Sequence, residues 1–465
     1  MSMRIDEGRN VKIIVADKKH DCSHLLGKFV DESHYDILVD SDADVYMPAS
    51  CDIAQQAACD LNRDCASCSK GTDELRIAFK FRKNYFSQKE QNDAYMGLRE
   101  AAVETQNRGI AAGPRADKLG NREWVTDYEV DIIDYFSNPN ANLFGEDPIE
   151  EIRNTHKGKP SSPSNKNNVW GIQAVKKDNF DFEAWVDATK QLGPDEQRAE
   201  AKRVATKYIC QTTYANGVFS GIAGWFDRYP RIPYGRATSY TEKNRDKFEM
   251  AYPFLQTLAR GFKELLPWRY NNQMEAAKKL DPQFLVPETP FTTITVNKTF
   301  RTAAHFDAGD LHTGLSNLLV LSNNGNYTGG YLVAPEYRVA VNVRPGDLLL
   351  INNHEVMHGN TPIVLGDENA ERISLVCYFR EKMLELGSKE YEDCRYEYVE
   401  SRRLNKEHIG HKNEDGSDRH LWNGVSAGMW DDKEWYQYCE DKLGRETLLK
   451  YHPEAEGSNS LEGFF

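Results

Sequence analysis

The motif His305-Phe-Asp307 contains two potential metal ligands, the histidine and the aspartate. A third, His358, follows 51 residues after Asp307, and the three side chains form a set suited to binding a metal. Two neutral imidazoles and one carboxylate occupy one face of an octahedral ion and leave three adjacent positions free. This pattern is typical of a non-haem Fe(II) site, so we expect His305, Asp307 and His358 to bind the metal. The free positions would accept a bidentate co-substrate together with dioxygen.

An arginine, Arg372, lies 14 residues beyond His358. Fe(II) keeps one positive charge after one carboxylate has bound, which favours an anionic chelating co-substrate. A guanidinium pairs with a carboxylate through two parallel charged hydrogen bonds. We therefore expect Arg372 to hold the far carboxylate of a 2-oxo acid.

The composition is that of an ordinary soluble protein, with 40% apolar and 28% charged residues in 465. No run approaches the roughly 18 apolar residues that a membrane span requires. The first eight residues contain no apolar segment of the kind found in a secretory signal. These features predict an intracellular protein, nuclear or cytoplasmic, with no membrane partner.

Four of the nine cysteines cluster near residue 60. Four thiolates could close a tetrahedral structural zinc site. The alternative is a set of free thiols in a loop-rich segment, because the first two spacings are irregular. The cysteines concerned are Cys51, Cys59, Cys65 and Cys68.

The net charge of -14 is unevenly distributed. Residues 386–465 contribute -7, whereas residues 153–177 carry six basic residues and no acidic one. A second basic stretch, residues 228–245, alternates with tyrosines and includes Arg231 and Arg236. Cationic grooves with aromatic side chains suit a phosphate backbone and unstacked bases, so the two stretches predict a DNA-binding face. The alternative for these stretches is a solvated surface loop.

Short β-type runs separated by turn signals begin at about residue 286. The sequence pattern as a whole suggests four regions. We expect a mixed N-terminal region at 1–150, a mainly helical region with the basic segments at 151–285, a β-rich core at 286–382 and an acidic helical extension at 383–465. The core runs are typical of an antiparallel barrel or jelly roll. Strands are predicted at residues 11–15, 35–39, 74–81, 291–300, 315–321, 331–333, 338–343, 347–351 and 372–379, and helices near 88–105, at 181–208 and from Pro253 onward.

The core carries a resemblance to a known family. The segments Thr328-Gly-Gly-Tyr-Leu, Val343-Arg-Pro-Gly-Asp, His358-Gly-Asn-Thr-Pro and Glu371-Arg-Ile-Ser resemble the double-stranded β-helix of the 2-oxoglutarate/Fe(II) dioxygenases. Within that superfamily, the segment from Asn297 to Asp310 resembles the branch of the ten-eleven-translocation (TET) 5-methylcytosine oxidases and the base J thymidine hydroxylases. The resemblance covers about residues 286–382. It implies an α+β fold, with a jelly-roll core between helical N- and C-terminal layers.

The resemblance also implies roles for individual residues. His305, Asp307 and His358 match the iron ligands, and Arg372 matches the anchor of 2-oxoglutarate. The implied cofactors are Fe(II), 2-oxoglutarate as co-substrate, and O2. His312 and His354 are rivals as ligands, but His358 is preferred for the Gly-Asn-Thr-Pro that follows it and for its spacing to Arg372.

Three further residues have two interpretations each. Asp310 matches a position near the target base or co-substrate, where it could act in catalysis or in substrate binding, but it could also be a turn residue. Ser374 could help Arg372 to bind the co-substrate or could be an interior hydroxyl. Asn297 could line the substrate cavity or serve in packing.

The function implied by the resemblance is hydroxylation of the 5-methyl group of a pyrimidine, 5-methylcytosine or thymine, in DNA. The base would have to be flipped out of the duplex to reach the metal. One alternative is a dioxygenase acting on a protein side chain or a small metabolite, which the net acidity favours. Two others are a relative that uses ascorbate in place of 2-oxoglutarate and a catalytically silent barrel that binds modified nucleic acid; the complete ligand set argues against the last.

Overall fold

The computed structural model describes residues 2–6, 8–47, 76–105, 108–113, 218–228, 232–307, 309–404 and 432–458, with the single residues 191, 196 and 430. Several predictions lie outside these residues and stay predictions: the zinc site at Cys51, Cys59, Cys65 and Cys68, the basic stretch at 153–177, the helix at 181–208 and the contact of Arg231. In the part of the chain that is described, no helix has both the length and the apolar character needed to cross a bilayer.

Strands make up much of the described chain. In order they are β1 (Ser2–Asp6), β2 (Arg9–Val15), β3 (Ile37–Val39), β4 (Ala43–Tyr46), β5 (Ile77–Arg82), β6 (Val103–Thr105), β7 (Val218–Phe226), β8 (Arg236–Ala237), β9 (Thr293–Lys298), β10 (Ser316–Ser322), β11 (Tyr327–Gly329), β12 (Leu332–Ala334), β13 (Val339–Val341), β14 (Leu348–Ile351), β15 (Gly359–Asn360), β16 (Ile363–Leu365) and β17 (Arg372–Tyr378). Each strand predicted from the sequence is present, with ends shifted by a few residues.

The strands form one large and two small sheets. The large sheet has eleven strands in the order β1-β2-β4-β5-β14-β10-β17-β9-β7-β6, with β8 paired to β7. A four-stranded sheet has the order β15-β12-β13-β3, and β11 pairs with β16. Strand pairs in the centre of the large sheet are antiparallel. With the helices, these sheets make an α+β fold.

Strand β17 shows how the large sheet separates its two faces. Successive side chains of a strand point to opposite sides. Ile373, Leu375 and Cys377 are buried in the core cluster that includes the helices. Ser374 and Val376, between them, line a cavity instead. A second apolar cluster, built from β5, β10, β12, β13 and β14, joins the large sheet to the four-stranded sheet.

The helices pack mainly on the outer face of the large sheet and in the C-terminal region. They are α1 (Gln88–Leu98), α2 (Ser239–Lys243), α3 (Arg245–Met250), α4 (Tyr252–Leu265), α5 (Pro267–Ala277), α6 (Lys389–Leu404), α7 (Asp432–Leu443) and α8 (Arg445–Tyr451). The helix predicted from Pro253 is confirmed as α4, with the proline in its first turn. The helix predicted near 88–105 is too long, because the chain leaves the helix after Leu98 and residues 103–105 form β6.

The C-terminal helices form a separate apolar cluster around Trp435, which is fully buried. The guanidinium of Arg395 lies 4.2 Å from the ring centroid of Trp430 and 5.1 Å from that of Trp435. A buried cation against aromatic faces stabilises such a cluster. This packing holds the helices after residue 383 together. An ion pair between Arg228 and Glu392 connects them to an earlier part of the chain.

The large sheet draws strands from distant parts of the chain. β5 pairs with β14, and β7 pairs with β9, so early segments lie beside strands of the predicted core. The division into four regions stays a prediction. No strand was predicted at Val218–Phe226. That prediction was wrong, because these nine residues form β7. Its two glycines weaken the strand pattern.

Candidate active site

The segment that carries His305 lies next to the segment that carries His358. The backbone N–H of His305 donates to the carbonyl of His358 over 2.9 Å, and the N–H of His358 donates back over 3.0 Å. The two imidazole centroids are therefore only 4.5 Å apart. Two histidines that are 53 positions apart in the sequence are held side by side by main-chain bonds.

Main-chain carbonyls also set the orientation of both rings. The Nδ1 of His305 is 2.8 Å from the carbonyl of Ala303, and the Nδ1 of His358 is 3.0 Å from that of Val356. A carbonyl can only accept, so each Nδ1 carries the proton. Each Nε2 is then free to bind a cation through its lone pair, the arrangement found for histidine ligands of metals.

Asp307 completes the cluster. Its Oδ1 lies 3.3 Å from the Nε2 of His305 and its Oδ2 lies 4.0 Å from the Nε2 of His358. The three potential ligand atoms lie within 4.8 Å of one another. The side-chain amide of Asn353 donates a hydrogen bond to Oδ2 of Asp307 over 2.7 Å and so restrains the carboxylate. The donor set and its compactness fit a divalent ion such as Fe(II).

The charges of the cluster favour a bound cation. Burial alone would raise the pKa of Asp307, but the hydrogen bond with His305 and the proximity of His358 outweigh it, and the pKa lies well below its usual range. Burial, followed by the proximity of His305, lowers the pKa of His358 to about 4. Burial would lower the pKa of His305, but the hydrogen bond and the charge of Asp307 raise it. At neutral pH the cluster therefore offers the carboxylate of Asp307 and the neutral imidazole of His358, and a metal ion would compete with a proton at His305.

The segment at residues 301–305, which leads into the metal-ligand cluster, is held from two sides. Asn360 donates its backbone N–H to Thr302 over 2.9 Å on one side. On the other side Gly27 donates to Ala304 over 2.7 Å, and Ala304 donates to Lys28 over 2.8 Å. A piece of the N-terminal region thus forms part of the support for His305 and Asp307.

A cavity of about 260 Å³ opens beside the cluster. It lies between the large sheet and the four-stranded sheet, because β9, β10 and β17 contribute residues from one and β12 and β15 from the other. Along β17 it is lined by every second residue from Arg372, in agreement with the period of a strand. Its lining consists of Arg108, Ala111, Thr295, Asn297, Phe300, Thr302, His305, Asp307, Asp310, Leu318, Leu332, His358, Asn360, Arg372, Ser374, Val376, Tyr378 and Arg380.

Arg372 occupies one end of the cavity and is 1% exposed. Its Nη2 donates to the carbonyl of Gly330 over 3.2 Å. Its Nε and Nη1 have no hydrogen-bond partner among the described residues. A buried cation with two unused donors needs an anion, and a carboxylate of a small acid fits. Gly330 has φ of +67°, and a Cβ there would lie 3.0 Å from the Nε of Arg372.

Ser374 and Asn297 lie next to each other across β17 and β9. Both line the cavity, which was one of the two interpretations of Asn297. For Ser374 this position is compatible with a contact to the co-substrate and with an interior hydroxyl. The Oδ1 of Asn297 accepts a hydrogen bond from the hydroxyl of Ser220 on β7. Asn297 therefore has a packing contact and a cavity-facing position at once, and the two interpretations are compatible.

Asp310 lies toward the other end of the cavity. The segment that holds it bridges to Arg380, and its carboxyl accepts a hydrogen bond from the Ser316 hydroxyl. Burial, followed by the charge of Asp307, raises the pKa of Asp310 to about 8. The carboxyl is 6% exposed, so it belongs to the cavity wall and not to a solvent-exposed turn.

Other predicted residues do not line the cavity. His354 and His312 contact each other, with ring centroids 5.8 Å apart, outside the metal-ligand cluster. Arg236 lies on β8, where its Nη1 donates to the carbonyl of Asp227 and its guanidinium covers the ring of Phe226. Its contact with substrate stays a prediction.

The basic stretch at 228–245 is partly used inside the protein. Arg228 forms an ion pair with the fully buried carboxylate of Glu392, and Arg245 pairs with Glu249 over 3.0 Å. These arginines thus stabilise the fold whatever else they contact.

Sequence reasoning missed several residues of the cavity, above all Arg108, Tyr378 and Arg380. Tyr378 and Arg380 follow Arg372 by six and eight positions, so the alternation of β17 could have placed them on the cavity face. Arg108 belongs to the loop before the short 3-10 helix Gly109–Ala112. The loop contains no motif that would indicate a role for Arg108.

Two histidines and an aspartate beside a buried, unpaired arginine define the class of the Fe(II)- and 2-oxoglutarate-dependent oxygenases. The comparison with protein families agrees. Residues 221–381 match the model of the family Tet_JBP, described as the oxygenase domain of the 2OGFeDO superfamily. The match begins well before residue 286 and includes β7 from residue 221 onward.

Two curated relatives come from Trypanosoma brucei brucei. The "Bifunctional helicase and thymine dioxygenase JBP2" is 36% identical over 188 residues, 39% of this chain and 17% of the relative. "Thymine dioxygenase JBP1" is 36% identical over 166 residues, 35% of this chain and 19% of the relative. The chain therefore spans less than a fifth of the length of these relatives. Among solved structures, NgTET1 in complex with 5mC DNA is similar with a TM-score of 0.30 and 18% identity, over 37% of this chain and 64% of that one.

Proposed function

We propose that the protein is an Fe(II)/2-oxoglutarate-dependent dioxygenase that hydroxylates the 5-methyl group of a pyrimidine in DNA. The observation that carries the proposal is that the His305, Asp307 and His358 cluster and the unpaired guanidinium of Arg372 line one cavity. The match to the oxygenase-domain family supports the chemistry, and the names of the relatives support thymine as the first candidate substrate. 5-Methylcytosine is the second candidate, which the sequence resemblance implies. In this proposal the large and the four-stranded sheet are the two halves of a double-stranded β-helix.

The metal would be held by the Nε2 atoms of His305 and His358 and by the carboxylate of Asp307. When bound, Fe(II) together with 2-oxoglutarate and dioxygen would supply the oxidation that converts a methyl C–H into C–OH, with succinate and carbon dioxide as the other products. The carbonyls of Ala303 and Val356 keep both imidazoles in the tautomer that can bind the ion. The Asn353 amide keeps the carboxylate turned toward it.

Arg372 would bind the carboxylate of 2-oxoglutarate farthest from the metal, through its unused Nε and Nη1. Ser374, the next residue on the same face of β17, lines the cavity beside it and could add a hydroxyl contact. The turn at Gly330 holds the guanidinium in place through its carbonyl. Apolar walls from Leu318, Leu332 and Val376 limit water around the reacting groups.

The target base would enter at the end of the cavity that contains Asp310 and Tyr378. A base in a duplex must be flipped out to reach such a site, at a cost of a few kcal/mol. The ring of Tyr378 offers a stacking surface, and the Asp310 carboxyl offers a polar contact to the base edge. Arg231 and Arg236 stay candidates for contacts with the DNA backbone.

The test is a reaction of the full chain with Fe(II), 2-oxoglutarate and duplex DNA that contains thymine or 5-methylcytosine. Nucleosides are then analysed by mass spectrometry, and succinate is measured in the same samples. We expect 5-hydroxymethyl nucleosides in amounts that match succinate. A parallel reaction with ascorbate in place of 2-oxoglutarate tests the alternative co-substrate. Succinate without any oxidised base, across both DNA substrates, would contradict the proposed substrate class.

A further inference from the structure

Three arginines line the cavity, and they differ in their partners. Arg380 forms an ion pair with Asp227. Arg372 has two unused donors that suit the co-substrate. Arg108 makes one described hydrogen bond, from its Nη2 to the carbonyl of Gly221 over 3.0 Å. Within the described ranges, no carboxylate forms an ion pair with it.

The loop of Arg108 is fixed against the segment at residues 301–305. Ala303 donates its backbone N–H to Ala111 over 2.9 Å. Gly113 has φ of +79°, and any Cβ there would overlap the ring of Phe29. The ring of Phe29 in turn lies 4.5 Å from the guanidinium of Arg301. The loop is thus packed between the N-terminal region and the segment that leads into His305.

Arg108 belongs to the end of the cavity away from Arg372. Burial lowers the pKa of Arg108, and the nearby charges of Tyr378 and Asp307 oppose that effect. Tyr378 is six residues beyond Arg372 on β17, which in a strand corresponds to about 20 Å. Arg108 lines the same cavity as Asp307 and Tyr378. Its anchor Gly221 pairs with Val296 of β9, which pairs in turn with Leu375 of β17, beyond Arg372 along the strand.

The charges on the co-substrate side are already matched. Fe(II), Asp307, 2-oxoglutarate and Arg372 together are neutral, so none of them requires Arg108. A guanidinium has five N–H donors and no acceptor, which restricts its partner to an oxygen or nitrogen lone pair. Thymine and 5-methylcytosine both carry a carbonyl oxygen at position 2 of the ring. A phosphate is the other acceptor in a nucleotide, but in a flipped nucleotide it stays on the backbone outside the pocket.

We propose that Arg108 binds the carbonyl edge of the target pyrimidine inside the cavity and so turns its 5-methyl group toward the metal. This inference rests on the proposed function. The bond to Gly221 uses one donor and fixes the side chain, and no described residue is shown to accept from the remaining donors, which would serve the base. Arg108 is then a substrate-binding residue of the reaction, supplied by a segment far from the metal motif.

The experiment compares the full-length wild type with Arg108→Met, which keeps length and removes every donor, and Arg108→Lys, which keeps the charge. Arg260→Gln on the exposed face of α4 is the matched control. We expect Arg108→Met to lower kcat/KM for the DNA roughly 10-fold to 100-fold, as for loss of an arginine contact to a base. The KM for 2-oxoglutarate, Fe(II) binding and the melting temperature should stay at wild-type values, and Arg108→Lys should recover part of the activity. If Arg108→Met does not fold, the Lys variant alone must show the selective loss.

A second measurement separates base from phosphate. The same kinetics are run on DNA with neutral methylphosphonate links on both sides of the target nucleotide. A difference between wild type and Arg108→Met that persists supports a base contact, and one that disappears overturns the proposal in favour of a phosphate contact. A raised KM for 2-oxoglutarate, or equal kcat/KM in wild type and variant, also overturns it while the proposed function stands. If the wild type oxidises no base at all, both proposals fall.

Discussion

At the Arg372 end of the cavity, the functional groups come from the turn at Gly330 and from the paired strands β17 and β9, which carry Arg372, Ser374 and Asn297. At the opposite end, four separated segments meet: the loop of Arg108, the segment of Asp310, the end of β17 at Tyr378, and Asp227 at the end of β7, which pairs with Arg380. The metal-ligand cluster lies on the wall of the same cavity.

The difference fits the demands that the proposed function makes on each end, with 2-oxoglutarate as the co-substrate and a pyrimidine base as the target. The co-substrate is a small dianion whose recognition needs one cation and a hydroxyl, and short motifs on one strand supply these. A base needs contacts on its faces and its edges, so several segments have to converge. Changes in the early segments would then alter substrate choice and leave the co-substrate end intact.

The largest effect is expected for the cluster shared by both ends. Asp307→Ala removes the one carboxylate ligand, so Fe(II) binding and turnover should be lost with every substrate, since oxidation of any substrate depends on the metal. Metal content and succinate formation measure this. His312→Gln, an exposed histidine outside the cluster, should keep both. Retained turnover in Asp307→Ala would refute the metal assignment.

The Arg372 end is tested next. In Arg372→Met the KM for 2-oxoglutarate should rise by about 30-fold or more, because loss of one partner of a buried charged pair costs at least about 2 kcal/mol. Apparent DNA affinity, measured by fluorescence anisotropy without co-substrate, should not change. An equal loss of DNA affinity would mean that the two ends are not separate.

At the opposite end, Tyr378→Leu should weaken DNA turnover about 10-fold, through loss of stacking on the base. The KM for 2-oxoglutarate is expected to stay constant. Tyr378→Phe keeps the ring and serves as the matched control, with activity near that of the wild type. Equal losses in Leu and Phe variants would assign the role to the hydroxyl instead of the ring.

Much of the Arg372 end and the metal cluster could be predicted from the sequence. Histidine, aspartate and arginine have few structural reasons to recur at these spacings, so their residue types indicate the chemistry directly. Strand alternation then places Ser374 beside Arg372 and, on the paired strand, Asn297 beside Ser374. The predicted strands of the core are confirmed because their β-branched runs are bounded by clear turn signals.

The opposite end was less predictable because its parts meet only through tertiary pairing. Arg108 reaches the cavity where β7 passes, and β7 was missed for its glycines. Both glycines are required: a Cβ at Gly221 would lie 1.8 Å from the carbonyl oxygen of Ala101, and Gly224 has φ of +93°. The glycines that the close packing requires thus weakened the strand pattern of β7. Because β7 was not predicted, the position of Arg108 beside it could not be predicted either.

The smallest effect concerns the support of the Arg372 end. Glu371 precedes Arg372 and accepts hydrogen bonds from Arg99 over 2.7 and 2.9 Å and from Tyr95 over 2.6 Å, and it pairs with Lys298 over 2.6 Å. Burial would raise the pKa of Glu371, but its hydrogen bonds with Arg99, Lys298 and Tyr95 lower it to about 2. The contact therefore joins α1 and its following turn to the start of β17 as a charged network.

Since the folded-state pKa of Glu371 lies below its unfolded value, its stabilisation is present above about pH 4.3 and is lost as the pH falls toward 2. Glu371→Gln should lower the free energy of unfolding by about 1 kcal/mol at pH 7, and the difference from wild type should narrow below pH 4. Urea unfolding of the wild type and the variant at pH 7 and at a pH below 4 measures this difference in the free energy of unfolding. Glu385→Gln, at an exposed position, is the control. Because Glu371 supports the strand that carries Arg372, its loss should raise the KM for 2-oxoglutarate less than Arg372→Met does and leave DNA affinity unchanged. A change in the DNA affinity of Glu371→Gln would contradict this expectation. It would show that a structural change at the start of β17 alters the position of Tyr378 and that the two ends of the cavity are coupled.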